Sequence, residues 1–372
     1  LEGFTSGIVT LFLFLAMLAV LVLVHEFGHF WTARRLGIKV DEFGIGFPPR
    51  AKVLFERNGV KYTLNWLPIG GFVRFGGEGE TLYGAGGSLA AAAPWKKILV
   101  LLAGPFMNLL LTFLIFSALL FANGVPTPAD GIIISTIIPN TPAATASFQP
   151  NDVLLELNNV PIQQNTDIVR ETAQTQQGQP IEAIVLRDGQ QITLQVTPGP
   201  WVNPDTGQTV PTGFGFSYAP NYTIERVGPI DALVKGVQQT WFTLGRFIVG
   251  LQELVGGLFG TNEPPPGGVT GIVGMARGTG EVIDRYGLTG FGEWMALISL
   301  NLFLFNLLPF PALDGSHIVF ALIEMARRGK KIPPEKEALV HAVGFVMLMF
   351  LVVIVTVSDV ANWLGGAPVL GQ

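Results

Sequence analysis

His25, Glu26 and His29 occur in the order His-Glu-Phe-Gly-His. On an α-helix, positions four apart share a face, so both imidazoles can be offered to one metal ion while the carboxylate lies beside them to polarise a bound water. These are the residue types of metal-assisted hydrolysis. Their setting sharpens the reading, because Ile8 to Val24 is almost wholly apolar and the motif extends the run toward Trp31. Such a stretch can span a bilayer, whose core needs ~20 apolar residues. A charged side chain at the centre of a spanning helix costs roughly 2.5 to 3.5 kcal/mol on insertion scales. Zinc offers a partner to all three polar groups at once, whereas two histidines on the face of a soluble helix would need none.

Two histidines leave a zinc site incomplete. The chain has no cysteine, so any further protein ligand is a histidine or a carboxylate. Asp314 is the candidate third ligand. It ends the segment Asn306-Leu307-Leu308-Pro309-Phe310-Pro311-Ala312-Leu313-Asp314, whose two prolines cannot continue a regular helix. Broken backbone at membrane depth is tolerated where it is buried in protein or lines a wet cavity, and hydrolysis needs a wet cavity. A plain helix end at the interface is the alternative. His317, three residues on, could compete as a ligand but fits a supporting role better, and His341 is expected at the interface.

Helices must carry these groups to one level. With 49% hydrophobic and 13% charged residues, the chain reads as an integral membrane protein, since ordinary soluble chains carry ~25% charge. Besides the first span, others are expected at about Ile98 to Phe121, Trp294 to Leu313 and Leu339 to Val357. Of the 22 Lys and Arg, ten lie between Arg34 and Lys97, five between Arg327 and Lys336, and seven between Arg170 and Arg285. The first two groups then face the cytoplasm, and both termini and the middle region lie outside. At ~1.5 Å per residue, His25, His29 and Asp314 fall near the cytoplasmic face, and span two brings Gly104, Pro105 and Asn108 to the same depth. No cleavable leader is expected, because Leu1 to Gly7 has no basic residue, and the start at Leu1 suggests a trimmed chain or an alternative start codon.

Leu233 to Phe259 is apolar but carries Lys235, Arg246 and Glu253, among other polar residues. It is expected as an amphipathic helix on the outer interface, with a tilted span as the alternative. Asn58-Gly59 between Val53 to Arg57 and Val60 to Trp66 signals a hairpin with a type I′ turn. Outside, short β-branched runs at Gly131 to Ile138, Asp152 to Leu157, Ile181 to Leu186 and Gln191 to Val196 mark a small β-rich domain. Asn203 to Thr223 and Asn262 to Gly268 are expected as linkers. The divisions are 1–125 for the first half of a catalytic core, 126–200 for the outer domain, 201–290 for linker and interfacial helix, and 291–372 for the second half.

The chain resembles the site-2 protease family of intramembrane zinc metalloproteases, in its bacterial RseP-like branch with a single PDZ domain. The carriers are HEFGH at 25–29, Gly104-Pro105-Phe106-Met107-Asn108, and NLLPFPALDG at 306–315. The resemblance implies that His25, His29 and Asp314 hold one Zn²⁺ per chain and that Glu26 is the general base and acid. It implies that Asn306 lies near the scissile peptide. Asn108, Gly70 and Gly71 are carried as further substrate-positioning candidates, since the hairpin and Pro68-Ile69-Gly70-Gly71-Phe72 look like a membrane-associated β-loop that pairs with unwound substrate. The fold so implied is a polytopic α-helical membrane protein of four transmembrane helices, with a cytoplasmic-side β-hairpin and one extracytoplasmic PDZ-like domain. That domain resembles a PDZ module at Gly131-Ile132-Ile133-Ile134, Pro142-Ala143-Ala144 and Pro150-Asn151-Asp152-Val153-Leu154.

The expected activity is cleavage, in the bacterial cytoplasmic membrane, of single-pass transmembrane segments already trimmed outside. Expected partners are the lipid bilayer, a transmembrane substrate such as an anti-sigma factor or a signal-peptide remnant, and a peptide C-terminus at the PDZ-like domain; no nucleic acid is expected. Ser316 and Ile272 depart from the family pattern, which tends to Gly and Pro there. A catalytically inactive adaptor and an ion-conducting protein are the competing readings.

Overall fold

The computed structural model describes residues 2–77, 88–163, 167–204, 207–258, 270–366 and 369. The proline-rich linker expected at 262–268 lies outside them. The chain divides into two compact units, residues 1–122 with 228–372, and residues 123–227.

The first unit begins with α1 (Glu2–Arg35), β1 (Val40–Arg57), β2 (Val60–Phe75), α2 (Ser88–Ala91) and α3 (Pro94–Asn123). Among the described residues, four helices of this unit are long and apolar enough to cross a membrane: Gly7–Arg35, Pro94–Asn123, Ile272–Leu307 and Glu335–Leu364. α1 and α3 cross closely at small residues, as membrane helices do where backbones approach. A Cβ on Gly28 would lie 2.3 Å from the carbonyl oxygen of Ala103.

The expected hairpin is present and longer than its turn signal showed. Asn58 and Gly59 have φ of 53° and 74°, both left-handed as a type I′ turn requires. β1 and β2 each bend back, so Glu42 to Ile45 pairs with Arg74 to Gly71 on one side and with Lys61 to Leu64 on the other. Phe30 and Ala33 of α1, Val40, Phe43 and Val60 of the sheet, and Val100 of α3 form one buried cluster. Inside the sheet Glu42 is buried, accepting hydrogen bonds from Arg50 Nε at 2.9 Å and Thr63 Oγ1 at 2.8 Å. Arg50 Nη2 and Arg74 complete its ion pairs.

The unit of residues 123–227 holds β3 (Val125–Ile137), α4 (Pro142–Thr145), β4 (Val153–Leu157), β5 (Val160–Pro161), α5 (Asp167–Thr175), β6 (Ile181–Arg187), β7 (Gln190–Val196), β8 (Gly199–Val202), β9 (Thr209–Gly213) and β10 (Phe216–Glu225). The main sheet runs β10-β3-β4-β6-β7, with β5 pairing β4. Its strands alternate as half-buried strands must: Ile181, Ala183 and Val185 of β6 point into a core with Ile132, Ile134, Leu154 and Val169. The expected linker at 203–223 is corrected here. Phe216–Glu225 is a strand hydrogen-bonded to β3 from Phe216↔Ile137 to Glu225↔Val125.

The remaining helices return to the first unit: α6 (Pro229–Leu258), α7 (Ile272–Leu307), α8 (Asp314–Ala326) and α9 (Pro334–Leu364). α6 packs on two others. A Cβ on its Gly236 would meet Ser117 Oγ of α3 at 2.1 Å, and its Leu244 is buried with Leu300 and Phe303 of α7. α7 starts far upstream of Trp294 and is broken at Gly287, where φ is 60° and ψ is −148°. Its first turn is capped across helices. The carboxylate of Asp359, buried on α9, accepts the backbone N–H groups of Gly271 at 3.1 Å and Gly274 at 2.8 Å. The third span is expected at about Trp294 to Leu313 with a break at its prolines; the helix ends at Leu307 and a new one starts at Asp314. The residue before Pro309, Leu308, is extended at ψ 141°, as the proline ring dictates.

Candidate metal centre

α1 places His25 and His29 one turn apart and buried, facing α3 and the start of α8. Their Nε2 atoms are 3.0 Å apart. Asp314 Oδ2 lies 3.0 Å from Nε2 of His25 and 3.4 Å from Nε2 of His29. It is a buried oxygen with no hydrogen-bond donor assigned to it among the described residues. Two imidazole nitrogens and a carboxylate oxygen thus converge on one point. Tetrahedral ligands of a zinc ion, each roughly 2.0 to 2.2 Å from the metal, stand about 3.3 Å from one another. The observed spacings match that donor set.

The far side of each ring is held so that Nε2 faces the convergence point. His29 Nδ1 donates to the carbonyl oxygen of Val100 on α3 at 2.8 Å, which leaves the Nε2 lone pair for a metal. His25 Nδ1 is 3.4 Å from Nδ2 of Asn108, whose Oδ1 is buried with no hydrogen-bond partner among the described residues. Amide oxygen and nitrogen are interchangeable in shape, and with Oδ1 turned to the ring it accepts Nδ1–H, so His25 also offers Nε2. Asn108 is in turn steadied by α7, whose Ser299 Oγ donates to its backbone carbonyl at 2.9 Å. Gly104 makes the space: a Cβ there would be 2.3 Å from His29 Nε2 and 2.8 Å from His25 Nε2.

Residues 13–351 match peptidase family M50. The chain belongs to that family, the site-2 proteases. Relatives span nearly its whole length. A Clostridium perfringens protein named provisionally as a zinc metalloprotease is 34% identical over 94% of this chain and 98% of its own. The zinc metalloprotease RasP of Oceanobacillus iheyensis is 29% identical over 94% of this chain and 98% of its own. RasP of Geobacillus kaustophilus is 27% identical over 94% and 97%. This M50 peptidase is therefore a membrane metalloprotease, and its metal is zinc by family.

The other candidate residues are placed less uniformly. Glu26 sits between the histidines with its carboxylate hydrogen-bonded to the backbone of Val73 on β2. Gly70 and Gly71 lie where β2 crosses α1. A Cβ on Gly70, whose φ is +77°, would be 3.0 Å from Val22 Cγ1, and one on Gly71 would be 2.9 Å from the Gly44 oxygen and 3.8 Å from Glu26 Cγ. Their small size lets a strand lie against the helix beside Glu26. Asn306 is in the last turn of α7, where its Nδ2 donates to the Leu302 carbonyl at 2.9 Å. Asn108 was carried as a substrate-positioning candidate; it is fully buried behind His25, which suits it to orienting that ring.

Two contributors had little sequence signal. The Val100 carbonyl is backbone and could come from any residue type. His341, expected at the interface, is 2% exposed and accepts the Ala312 N–H at Nδ1, 3.1 Å away.

Proposed function

We propose that this chain is a zinc endopeptidase that hydrolyses peptide bonds within or beside the transmembrane segment of single-pass proteins already trimmed on the outer side. The convergence of His25 and His29, on a helix of membrane-spanning length, with Asp314 at the start of α8 and Glu26 beside them carries the reading. Zinc held by these three would polarise the scissile carbonyl and acidify a water. Glu26 takes the proton from the attacking water and delivers it to the leaving amine. Its bond to the Val73 backbone fixes the carboxylate beside the histidines. β2 supports a role for Gly70 to Val73 in holding extended substrate, because a helical peptide bond is shielded and must be unwound before attack. Asn306, on the same side of the break as α7, is assigned to the substrate backbone.

The charge partition supports a centre near the cytoplasmic face and residues 123–227 outside. On this reading the β-rich unit acts as a PDZ-like module that admits trimmed chains or holds their new C-termini. Substrates of this type include anti-sigma factors and signal-peptide remnants.

The test compares the purified wild type with Glu26→Gln, measuring bound zinc and cleavage of a model transmembrane peptide. Equal zinc with cutting only by the wild type is expected. Cutting by both, or zinc in neither, would overturn the assignment.

A further inference from the structure

We propose that His341 is a positioning residue for the metal centre, holding from α9 the loop that presents Asp314. This rests on the reading of Asp314 as a zinc ligand. The loop between α7 and α8 is poorly equipped to hold itself. Pro309 and Pro311 have no N–H to donate, and Ala312 sits at φ +79°, a conformation disfavoured for a residue with a Cβ. Yet Asp314, two residues on, must stay within about a bond length's tolerance of two fixed imidazoles.

α9 supplies what the loop lacks. His341 Nδ1 accepts the Ala312 N–H at 3.1 Å, and Ser316 Oγ lies 3.4 Å from the same nitrogen. Three residues along the same helix, hence on the same face, a Cβ on Gly344 would be 2.0 Å from Pro311 Cβ. An acceptor and a notch, one turn apart, grip the loop at the strained residue itself and at the proline before it. Ser316, which departs from the family pattern, belongs to this grip and also donates to the Leu313 carbonyl at 2.8 Å.

The ring itself is braced. His317 stacks on His341 with centroids 3.9 Å apart and planes at 17°. Glu337 Oε1 lies 3.6 Å from His317 Nδ1 and 4.0 Å from His341 Nε2. These three residues bring ligand atoms within 4.8 Å of one another, which invites comparison with a second metal site. The hydrogen bond decides against it. A neutral imidazole that accepts at Nδ1 carries its proton on Nε2, so that nitrogen has no lone pair to give a metal and instead faces the Glu337 carboxylate. The trio is a brace for Nδ1.

Asparagine and glutamine separate the two ring nitrogens, because an Asn amide reaches the place of Nδ1 and a Gln amide the place of Nε2. Full-length His341→Asn and His341→Gln would be compared with wild type by zinc affinity in chelator competition and by backbone hydrogen exchange over 308–316. His341→Gln is expected to bind zinc about 10- to 100-fold more weakly, the usual effect of losing a group that orients a ligand, and to exchange faster at Ala312. His341→Asn is expected to stay near wild type in both. Indistinguishable variants, or faster exchange in His341→Gln with wild-type zinc affinity, would overturn the proposal. Asp314→Asn, measured alongside, separates the premises: wild-type zinc affinity there overturns the ligand reading and the proposal with it. Weakened binding there with unchanged His341→Gln overturns the proposal alone.

Discussion

Gly104→Ala adds a single methyl group at the most crowded point of the metal centre. The new Cβ would stand 2.3 Å from His29 Nε2, 2.4 Å from its Cε1 and 2.8 Å from His25 Nε2, where ordinary contact begins at 3.4 Å. Something must yield by about 1 Å, and each neighbour is held. His29 is tied at Nδ1 to Val100 on the same helix as Gly104, so moving the ring away stretches a 2.8 Å bond. α1 cannot back off without opening the contact at Gly28, where a Cβ would already be 2.3 Å from the Ala103 oxygen. A 1 Å shift is half of a zinc–nitrogen bond of about 2.0 Å. Zinc affinity should therefore fall by at least the 10- to 100-fold seen when ligand-orienting groups are lost, about 1.4 to 2.7 kcal/mol. Cleavage should fall with it while the helices persist. Chelator competition, circular dichroism and peptide cleavage on Gly104→Ala are compared with Gly245→Ala on α6, where a Cβ meets nothing within 4 Å. Wild-type zinc affinity and cutting in a folded Gly104→Ala would refute the geometry of the site.

Glu42→Gln should loosen the sheet by about 1.5 to 3 kcal/mol, the range for hydrogen bonds to a charged group, seen as faster exchange over 40–75. Burial pushes the Glu42 carboxyl up, but bonds from Arg50 and Thr63 and the charges of Arg74 and Arg50 outweigh it and hold it below the ordinary value. Its contribution is therefore intact above the unfolded value of ~4.3 and lost as pH falls through the lower folded one; wild-type protection there should drop as pH is taken below that unfolded value, and Glu42→Gln should show no such drop. Gly59→Ala places a Cβ at φ 74° and should weaken the hairpin by roughly 1 to 2 kcal/mol, read from proteolysis at 58–59. Asp359→Leu leaves the Gly271 and Gly274 N–H groups without their acceptor and should cost about 1 to 3 kcal/mol per buried donor, lowering the thermal midpoint, whereas Asp359→Asn keeps one acceptor and should lose less.

Much of the framework was legible because membrane helices and tight turns are local. The four apolar runs declare themselves within ~20 residues, and the Asn58-Gly59 turn and the β-branched strands of 131–196 within fewer. Boundaries set by distant partners were not legible. β10 lies in a Gly- and Pro-bearing stretch that resembles a linker until β3 pairs with it. α7 begins about 20 residues before Trp294 because Asp359, far along the chain, caps its first turn.

The metal centre divides in the same way. His25, Glu26 and His29 stand on one helix, so helical geometry alone places them together, and the proline-broken segment marks Asp314 as a polar group at membrane depth. Sequence by itself offered the candidate donor set and the chemistry it can support. Only the tertiary structure decided which nitrogens face the metal, because that depends on the Val100 carbonyl and the Asn108 amide of α3, and on the space left at Gly104. It also decided that His341 is buried against the Asp314 loop, a contact between helices that no local pattern encodes. Ligand identity follows from covalent chemistry along the chain, whereas ligand orientation follows from hydrogen bonds and close packing between helices, which exist only once those helices meet.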